Sequence, residues 1–377
     1  MEKLAATSQR FLALDIFRGL TVCFMIIVNT SGNGAATYWP LKHADWDGFT
    51  PTDLVFPSFL FAVGNALSFA LKRWEVMPQQ EVLLKILKRT LLIFGIGFLM
   101  YWFPFFRLDA QLNVVSFPFS ETRIMGVLQR IALCYGISAL LVYYLGTKKT
   151  LWFGVLALPV YWLLMAVFGT DGAEFTKTGN AVLKLDTWLF GANHLYKGEG
   201  FPFDPEGVLS TIPALFNVIV GYAAGVFLQK SGQSKTSLLK MIALGLGFVL
   251  LAVAWDELMP INKKLWTSSF ALLTTGLDLV LIAIIVYIVD ILKFQKGGYF
   301  FLVVGKNPLF VYLLSELGVV VLYMIHVGRE SLFQWIYTHI FIHAGDYFGA
   351  FLFAVWWMLT CWFAGYVLDK KKLYIKI

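Results

Sequence analysis

The feature that most constrains this chain is the recurrence of apolar runs close to the length of a bilayer-crossing helix. A transmembrane helix needs ~20 mostly apolar residues, and about ten such runs occur. They lie near residues 11–30, 52–71, 86–105, 124–145, 150–168, 208–228, 237–255, 267–291, 303–325 and 348–368. Inside lipid the backbone must satisfy its own hydrogen bonds, so runs of this length span as helices. Composition points the same way. Only 14% of residues are charged and 59% are hydrophobic, against roughly 25% charged in a soluble domain. The mean hydropathy is +0.72. The expected fold is all-α and integral to the membrane, a polytopic bundle of about ten transmembrane helices. No repeat, low-complexity run or linker divides the chain, so 1–377 reads as a single domain. The stretch 331–345 is short and amphipathic and suits either the interface or an extension of a neighbouring helix.

The net charge of +7 does not signal nucleic acid, because the cations sit in short loops and not on one face. One set of flanks, at 72–73, 85–89, 148–149, 230–240, 293–296 and 370–376, carries most of them. The positive-inside rule places these flanks and both termini in the cytoplasm. The loops around His43, at 169–207 and at 256–266 then face outward. Asp15 and Arg18 interrupt the first run with no small-residue cleavage site after it, so no cleavable signal is expected. Cys23, Cys134 and Cys361 lie in apolar runs without ligand spacing and read as packing residues.

Chemistry concentrates at residues 29–64, where two runs join through a Gly-rich loop holding His43, Asp45 and Asp47, with Asp53 opening the second run. An imidazole titrates near pH ~6.5, which suits proton abstraction. Asp45, Asp47 and Asp53 are candidates to orient its ring. The competing assignment is a structural histidine at the interface. His194, His326, His339 and His343 are weaker candidates. His339 and His343 are four apart, as two metal ligands would be, but no third ligand stands out, so no metal is expected. No GxSxG nucleophile elbow is present.

Charges inside the runs are costly and face a cavity or a partner. Asp15 and Arg18 share a helix face. Arg123 and Arg130 flank the start of another run, Asp278 lies deep in a third, and Lys306 and Asn307 precede the helix-starting Pro308. These are either buried ion pairs and helix-end anchors, or a cationic pocket for phosphates reached from the cytosol. Without a Walker or GxGxxG loop, a nucleotide would be held by scattered side chains.

Six segments, in order, carry a family resemblance: LALDIFRGLTVCFMIIVNTSG, HADWDGFTPTDLVFPSFLFAVG, RIMGVLQRIALCY, FDPEGVLSTIPA, PINKKLWTSSFALL and GKNPLFVY. Together they resemble the heparan-α-glucosaminide N-acetyltransferase family of transmembrane acetyltransferases, including its bacterial NagX-like members. The animal enzyme's N-terminal lumenal domain has no counterpart in this sequence, which implies a bacterial member of the inner membrane, its active-site loop facing the periplasm.

The resemblance implies acetyl transfer from cytosolic acetyl-CoA to the 2-amino group of a glucosamine on the far side. The family's functional histidine falls on His43, its asparagine on Asn29 and its TDLVFP aspartate on Asp53. In such a reaction His43 takes the proton of the attacking amine. Asn29 or an amide of the Gly32–Gly34 loop faces the oxyanion. Direct transfer and an acetyl-histidine intermediate are both open, with direct transfer favoured by proximity. Arg18, Arg123, Arg130 and Lys306 are the expected acetyl-CoA contacts. Asp45, Asp47, Asp186, Asp204 and Glu206 are the expected acceptor contacts, with Trp46 or Trp39 against a sugar face. Two further assignments share this composition: an amino-sugar or oligosaccharide transporter, and an O-acetyltransferase of an envelope glycan. A homodimer is the default assembly.

Overall fold

The computed structural model describes residues 12–109, 111–294 and 297–375. Lys296 and Lys376, two of the cations that set the expected orientation, and Phe11 lie outside these residues. Among the described residues twelve α-helices form in chain order. They are α1 (Leu12–Asn29), α2 (Val55–Trp74), α3 (Gln79–Trp102), α4 (Val127–Phe168), α5 (Ala181–Phe190), α6 (Thr211–Ser231), α7 (Lys235–Asp256), α8 (Ser268–Val286), α9 (Gly298–Lys306), α10 (Pro308–Met324), α11 (Leu332–Ile336) and α12 (Asp346–Lys370). Two small antiparallel hairpins accompany them: Phe106–Leu108 on Val114–Ser116, and His326–Val327 on Glu330–Ser331.

Among the described residues, seven helical segments are long and apolar enough to cross a membrane, and the bent pair α9–α10 makes an eighth. The molecule is thus an all-α polytopic membrane bundle. Two of the expected runs, 124–145 and 150–168, fall within the 42-residue α4, which is interrupted at Gly146, whose φ is 69°. The run expected at 86–105 begins earlier, as α3, whose first half bears Glu81, Lys85, Lys88 and Arg89. The 331–345 stretch is no continuous helix. After α11 come a single wide turn at Tyr337–Phe341 and a tight one at Ile342–Ala344.

The helices approach closely where glycines face backbone. A Cβ on Gly64 of α2 would lie 1.9 Å from Val218 O of α6, and one on Gly221 would lie 2.2 Å from Phe61 O. Gly19 of α1 and Gly305 of α9 meet the facing carbonyls of Phe301 and Asp15 in the same way, at 1.8 and 2.0 Å. Gly245 of α7 and Gly276 of α8 face each other's carbonyls at 2.6 and 2.5 Å. Between helices in lipid, close backbone approach replaces the hydrophobic drive that water would supply. Gly64→Leu is therefore expected to force α2 off α6 and destabilise the protein by at least the ~1–3 kcal/mol typical of overpacking. Thermal unfolding in detergent checks this. An unchanged midpoint would show that the contact is dispensable.

The bundle has two polar ends. At one, Arg18 bonds Asp15 at 2.7 Å and the Gly305 carbonyl at 2.9 Å, and Lys306 bonds Asp369 of α12 at 2.7 Å. Here Pro308, which lacks an N–H, starts α10 at 83° to α9. Asn307 at the corner binds the segment after α12, donating to Leu373 O and accepting from Ile375 N. The other end holds the 29–54 loop, the starts of α4, α6 and α8, and the α7–α8 turn.

Candidate functional site

His43 lies in the α1–α2 loop with its side chain 41% exposed, against a fully buried Asp53. Its Nδ1 is 2.7 Å from Asp53 Oδ1. The other oxygen, Oδ2, accepts from Ala44 N at 3.2 Å, Thr50 N at 3.0 Å and Thr50 Oγ1 at 3.0 Å. The Thr50 N–H bond is one arm of the capping box that opens the turn at Pro51–Leu54. A carboxylate receiving this many donors is an acceptor at every lone pair. The proton between the two side chains therefore sits on Nδ1, and Nε2 keeps its lone pair free. This is the tautomer that a general base requires.

The turn between α7 and α8 closes over this pair. Lys263 Nζ lies 3.0 Å from His43 Nδ1 and 3.2 Å from Nε2, and 3.9 Å from Asp53 Oδ1. The neighbouring contacts knit the two loops together. Gly48 N donates to Ile261 O at 2.7 Å, Asn262 Nδ2 to Asp47 Oδ1 at 3.0 Å, and Lys264 to both Asp45 O and the Glu199 carboxylate. Burial lowers the His43 pKa below 6.5, and the Lys263 charge lowers it further, against the opposing pull of Asp53 and Glu206. Burial likewise lowers the ammonium of Lys263 below its ordinary value, outweighing Asp53 and Glu206.

Beside this centre stands an arginine–carboxylate cluster. Arg123 forks onto Asp204 at 2.7 and 2.9 Å and reaches Glu206 at 2.5 Å. Its guanidinium lies 4.7 Å from the ring centroids of both Tyr101 and Tyr196. A planar fork suits two carboxylates and an aromatic face at once. Burial opposes the charge on Glu206, yet Arg123, with Arg130 and Lys263, holds its carboxyl below the ordinary value. Glu206 acts on His43, Lys263 and Arg123, so it links the two clusters.

The structure brings His43 and Asp53 together, and it joins Arg123 to Asp204 although the sequence assigned these to different ligands. Arg130, in α4, binds Ser210 and the Gly207 carbonyl, with its guanidinium 4.9 Å from the Trp266 ring centroid. Arg18 and Lys306 stand at the opposite end of the bundle, in the pairs described above. Asn29 closes α1 at the site's end and donates to Glu316 of α10 at 3.4 Å. Gly32 N donates to Ala350 O. Asp45 and Asp47 are exposed. Trp46 donates to Phe175 O at 2.7 Å and packs on Phe203, while Trp39 is 67% exposed. His339 stacks on Trp335, and His194 Nδ1 bonds Thr122 O. Among the described residues no group of three metal-ligating side chains converges.

Asp186 is buried under the 204–210 segment, where Oδ1 accepts from Val208 N. Burial pushes its carboxyl up to about 7 from 3.8. A raised folded value means that the neutral acid stabilises the fold below the unfolded value, and that this stability is lost as pH rises through the folded value. Between pH 3.8 and about 7, wild type should lose thermal stability relative to Asp186→Asn. Parallel melting temperatures across that range would remove the assignment.

In the sequence Lys263 is one cation of the outward turn at 256–266 and Glu316 belongs to no motif. A signal existed for the second: Glu316 is a lone carboxylate in the apolar run of α10, and such residues mark functional sites. No short-range pattern points from Lys263 to His43, which is 220 positions away.

The fold is thus a polytopic membrane bundle that presents a histidine–aspartate pair and a neighbouring lysine at one of its ends. Its lineage is shown by comparison. The family described as "Heparan-alpha-glucosaminide N-acetyltransferase, catalytic" matches residues 10–259, and the chain belongs to that family. It is similar to heparan-alpha-glucosaminide N-acetyltransferase of Mus musculus, 27% identical across 99% of this chain, and to that of Homo sapiens, 26% identical across 100%. The chain spans 61% of the length of each of these relatives.

Proposed function

We propose that this chain is an acetyl-CoA-dependent N-acetyltransferase that acetylates the amino group of a glucosamine or glucosamine-containing glycan. The observation that carries the proposal is the His43–Asp53 pair with its free Nε2, in a chain of this family. An amine attacks a thioester only when neutral, so a base must receive its proton. Asp53 holds Nδ1–H and sets the ring. Nε2 takes the proton as the amine nitrogen attacks the acetyl carbonyl carbon. The C–S bond then breaks, and the proton passes from Nε2 to the thiolate. Asn29 faces the oxyanion of the tetrahedral intermediate. Transfer is direct, within a ternary complex.

In this proposal ten spans place both termini in the cytoplasm of a bacterial inner membrane, with the His43 end at the periplasm. Arg18 and Lys306 receive the donor's phosphates at the cytosolic end. Arg18 and Asn29 are about 16 Å apart by the rise of α1, so an extended thioester arm bridges the two ends. Asp45, Asp47 and Trp46 meet the acceptor at the rim, and Arg123 and Arg130, with Asp204, order the wall between. No metal enters the scheme, and the chain works as a homodimer.

The test is purified protein with acetyl-CoA and glucosamine, followed by thiol release and by N-acetylglucosamine. Thiol release only with hydroxyl acceptors would replace this proposal by O-acetylation. No release with any acceptor would turn attention to sugar uptake in liposomes. The pH profile gives a second check. Burial and Lys263 hold His43 below 6.5, so the acid limb of kcat/KM should fall below that value. In Lys263→Met one of the two lowering influences is gone, and the limb should move to higher pH. An unmoved limb would separate His43 from the proton transfer.

A further inference from the structure

The amine of Lys263 lies against the imidazole of the proposed base. Its Nζ is 3.0 Å from Nδ1 and 3.2 Å from Nε2, so a turn of its flexible stem brings it onto the Nε2 lone pair, within the reach of a general base. Lys264, one residue on, is held elsewhere by Glu199 and Asp45 O. The surroundings of Lys263 make its proton easier to release than that of an exposed lysine, so the neutral amine that attack requires is within reach. An ammonium needs acceptors for three N–H bonds. Next to Nζ, Nδ1 carries the proton held by Asp53, Nε2 offers one lone pair, and the nearest carboxylate oxygen, Asp53 Oδ1, is 3.9 Å away. The side chain is only 16% exposed, so water replaces few of the missing bonds.

We propose that Lys263 is an internal acceptor: when an acyl thioester is bound and no sugar amine is present, its ε-amine takes the acetyl group through His43, and the resulting acetyl-lysine closes the site. This inference rests on the acetyl-transfer proposal above. The step balances without a further reactant. The neutral Nζ attacks the acetyl carbonyl carbon and an N–C bond forms. The C–S bond breaks, and one amine proton travels by Nε2 to the thiolate, which leaves as the thiol. The product amide has no basic lone pair and holds an acyl group over Nε2. A sugar amine that fills the space first displaces Lys263 and protects it, so the acceptor guards the enzyme that uses it.

The experiment incubates the purified full chain with acetyl-CoA alone, digests it, and reads acetylation at each lysine by mass spectrometry. The same preparation is assayed with glucosamine. The expected result is one acetyl group on Lys263, with Lys264 in the same peptide region largely unmodified. Excess glucosamine should suppress the label at least tenfold, His43→Ala should lack it, and turnover should fall in proportion to the modified fraction. Formation of N-acetylglucosamine with no acetyl on Lys263 would overturn the inference and leave the acetyltransferase proposal standing. Equal labelling of Lys263 and Lys264, persisting in His43→Ala, would overturn it as non-enzymatic acetylation. Acetylation of Lys263 without any sugar product would uphold it and remove glucosamine as the acceptor. If neither takes acetyl, both proposals fall.

Discussion

His43→Ala is expected to lower kcat for acetyl transfer by about 10²- to 10⁴-fold, the usual contribution of a positioned acid–base group. Affinity for acetyl-CoA should stay near wild type, because the proposed donor contacts lie at the other end of α1. The two effects are separated by single-turnover rates and by donor binding on the same preparation. The local fold should survive, since the His43 side chain is 41% exposed and Asp53 keeps three other hydrogen bonds, from Ala44 and Thr50. A variant that turns over within a few-fold of wild type would end the general-base role. Asp53→Ala should be worse for the protein as a whole, because it strips the loop of those three bonds as well as freeing the ring.

Arg123→Leu is expected to be the most destabilising single change outside the helix–helix contacts. It leaves Asp204 and Glu206, which are 1% and 8% exposed, without their shared guanidinium. Removing one partner of a buried ion pair costs about 3–5 kcal/mol, because the remaining charge has no water to turn to. The expected outcome is a collapsed yield of monodisperse protein and a large drop in unfolding temperature. Arg123→Leu with Asp204→Asn and Glu206→Gln should recover much of the loss, since the residual charges are then absent. If Arg123→Leu alone melts like wild type, the cluster contributes nothing to the fold.

The parts of the fold legible in the sequence are those that lipid dictates. Apolar runs of bilayer length force helices, and these form close to the expected bounds: α1, α6, α7 and α12 fall within a few residues of their runs. Gly146 was less legible. A single glycine at a positive φ can end one helix and start another, or leave a long helix with a kink, and sequence periodicity does not separate the two. The partnership of His43 and Asp53 was legible because ten residues of loop with a capping turn bring them together locally. Lys263 was not, since its approach depends on how the α7–α8 turn folds over the α1–α2 loop, through bonds such as Gly48 N to Ile261 O. The pairing of Arg123 with Asp204 was hidden for a related reason. Each charge was read against the membrane side assigned to it, whereas the fold places the entrance to α4 beside that to α6.

The glycine contacts have a mechanical meaning. A carrier that exposes its cargo alternately to two compartments needs a plane along which one part slides or rocks on another, and that plane has to be lubricated by side chains able to repack. At the glycine contacts of α1–α9, α2–α6 and α7–α8 backbone meets facing backbone, with no side chain in between to rearrange, so each pair is braced there against sliding. α1, which ends at Asn29, and α2, which follows directly on the Pro51–Leu54 turn that holds Asp53, both belong to such pairs. A scaffold braced in this way suits the proposed transfer, in which two reactants are held in register from opposite faces of a bilayer and a group crosses while the helices keep their places.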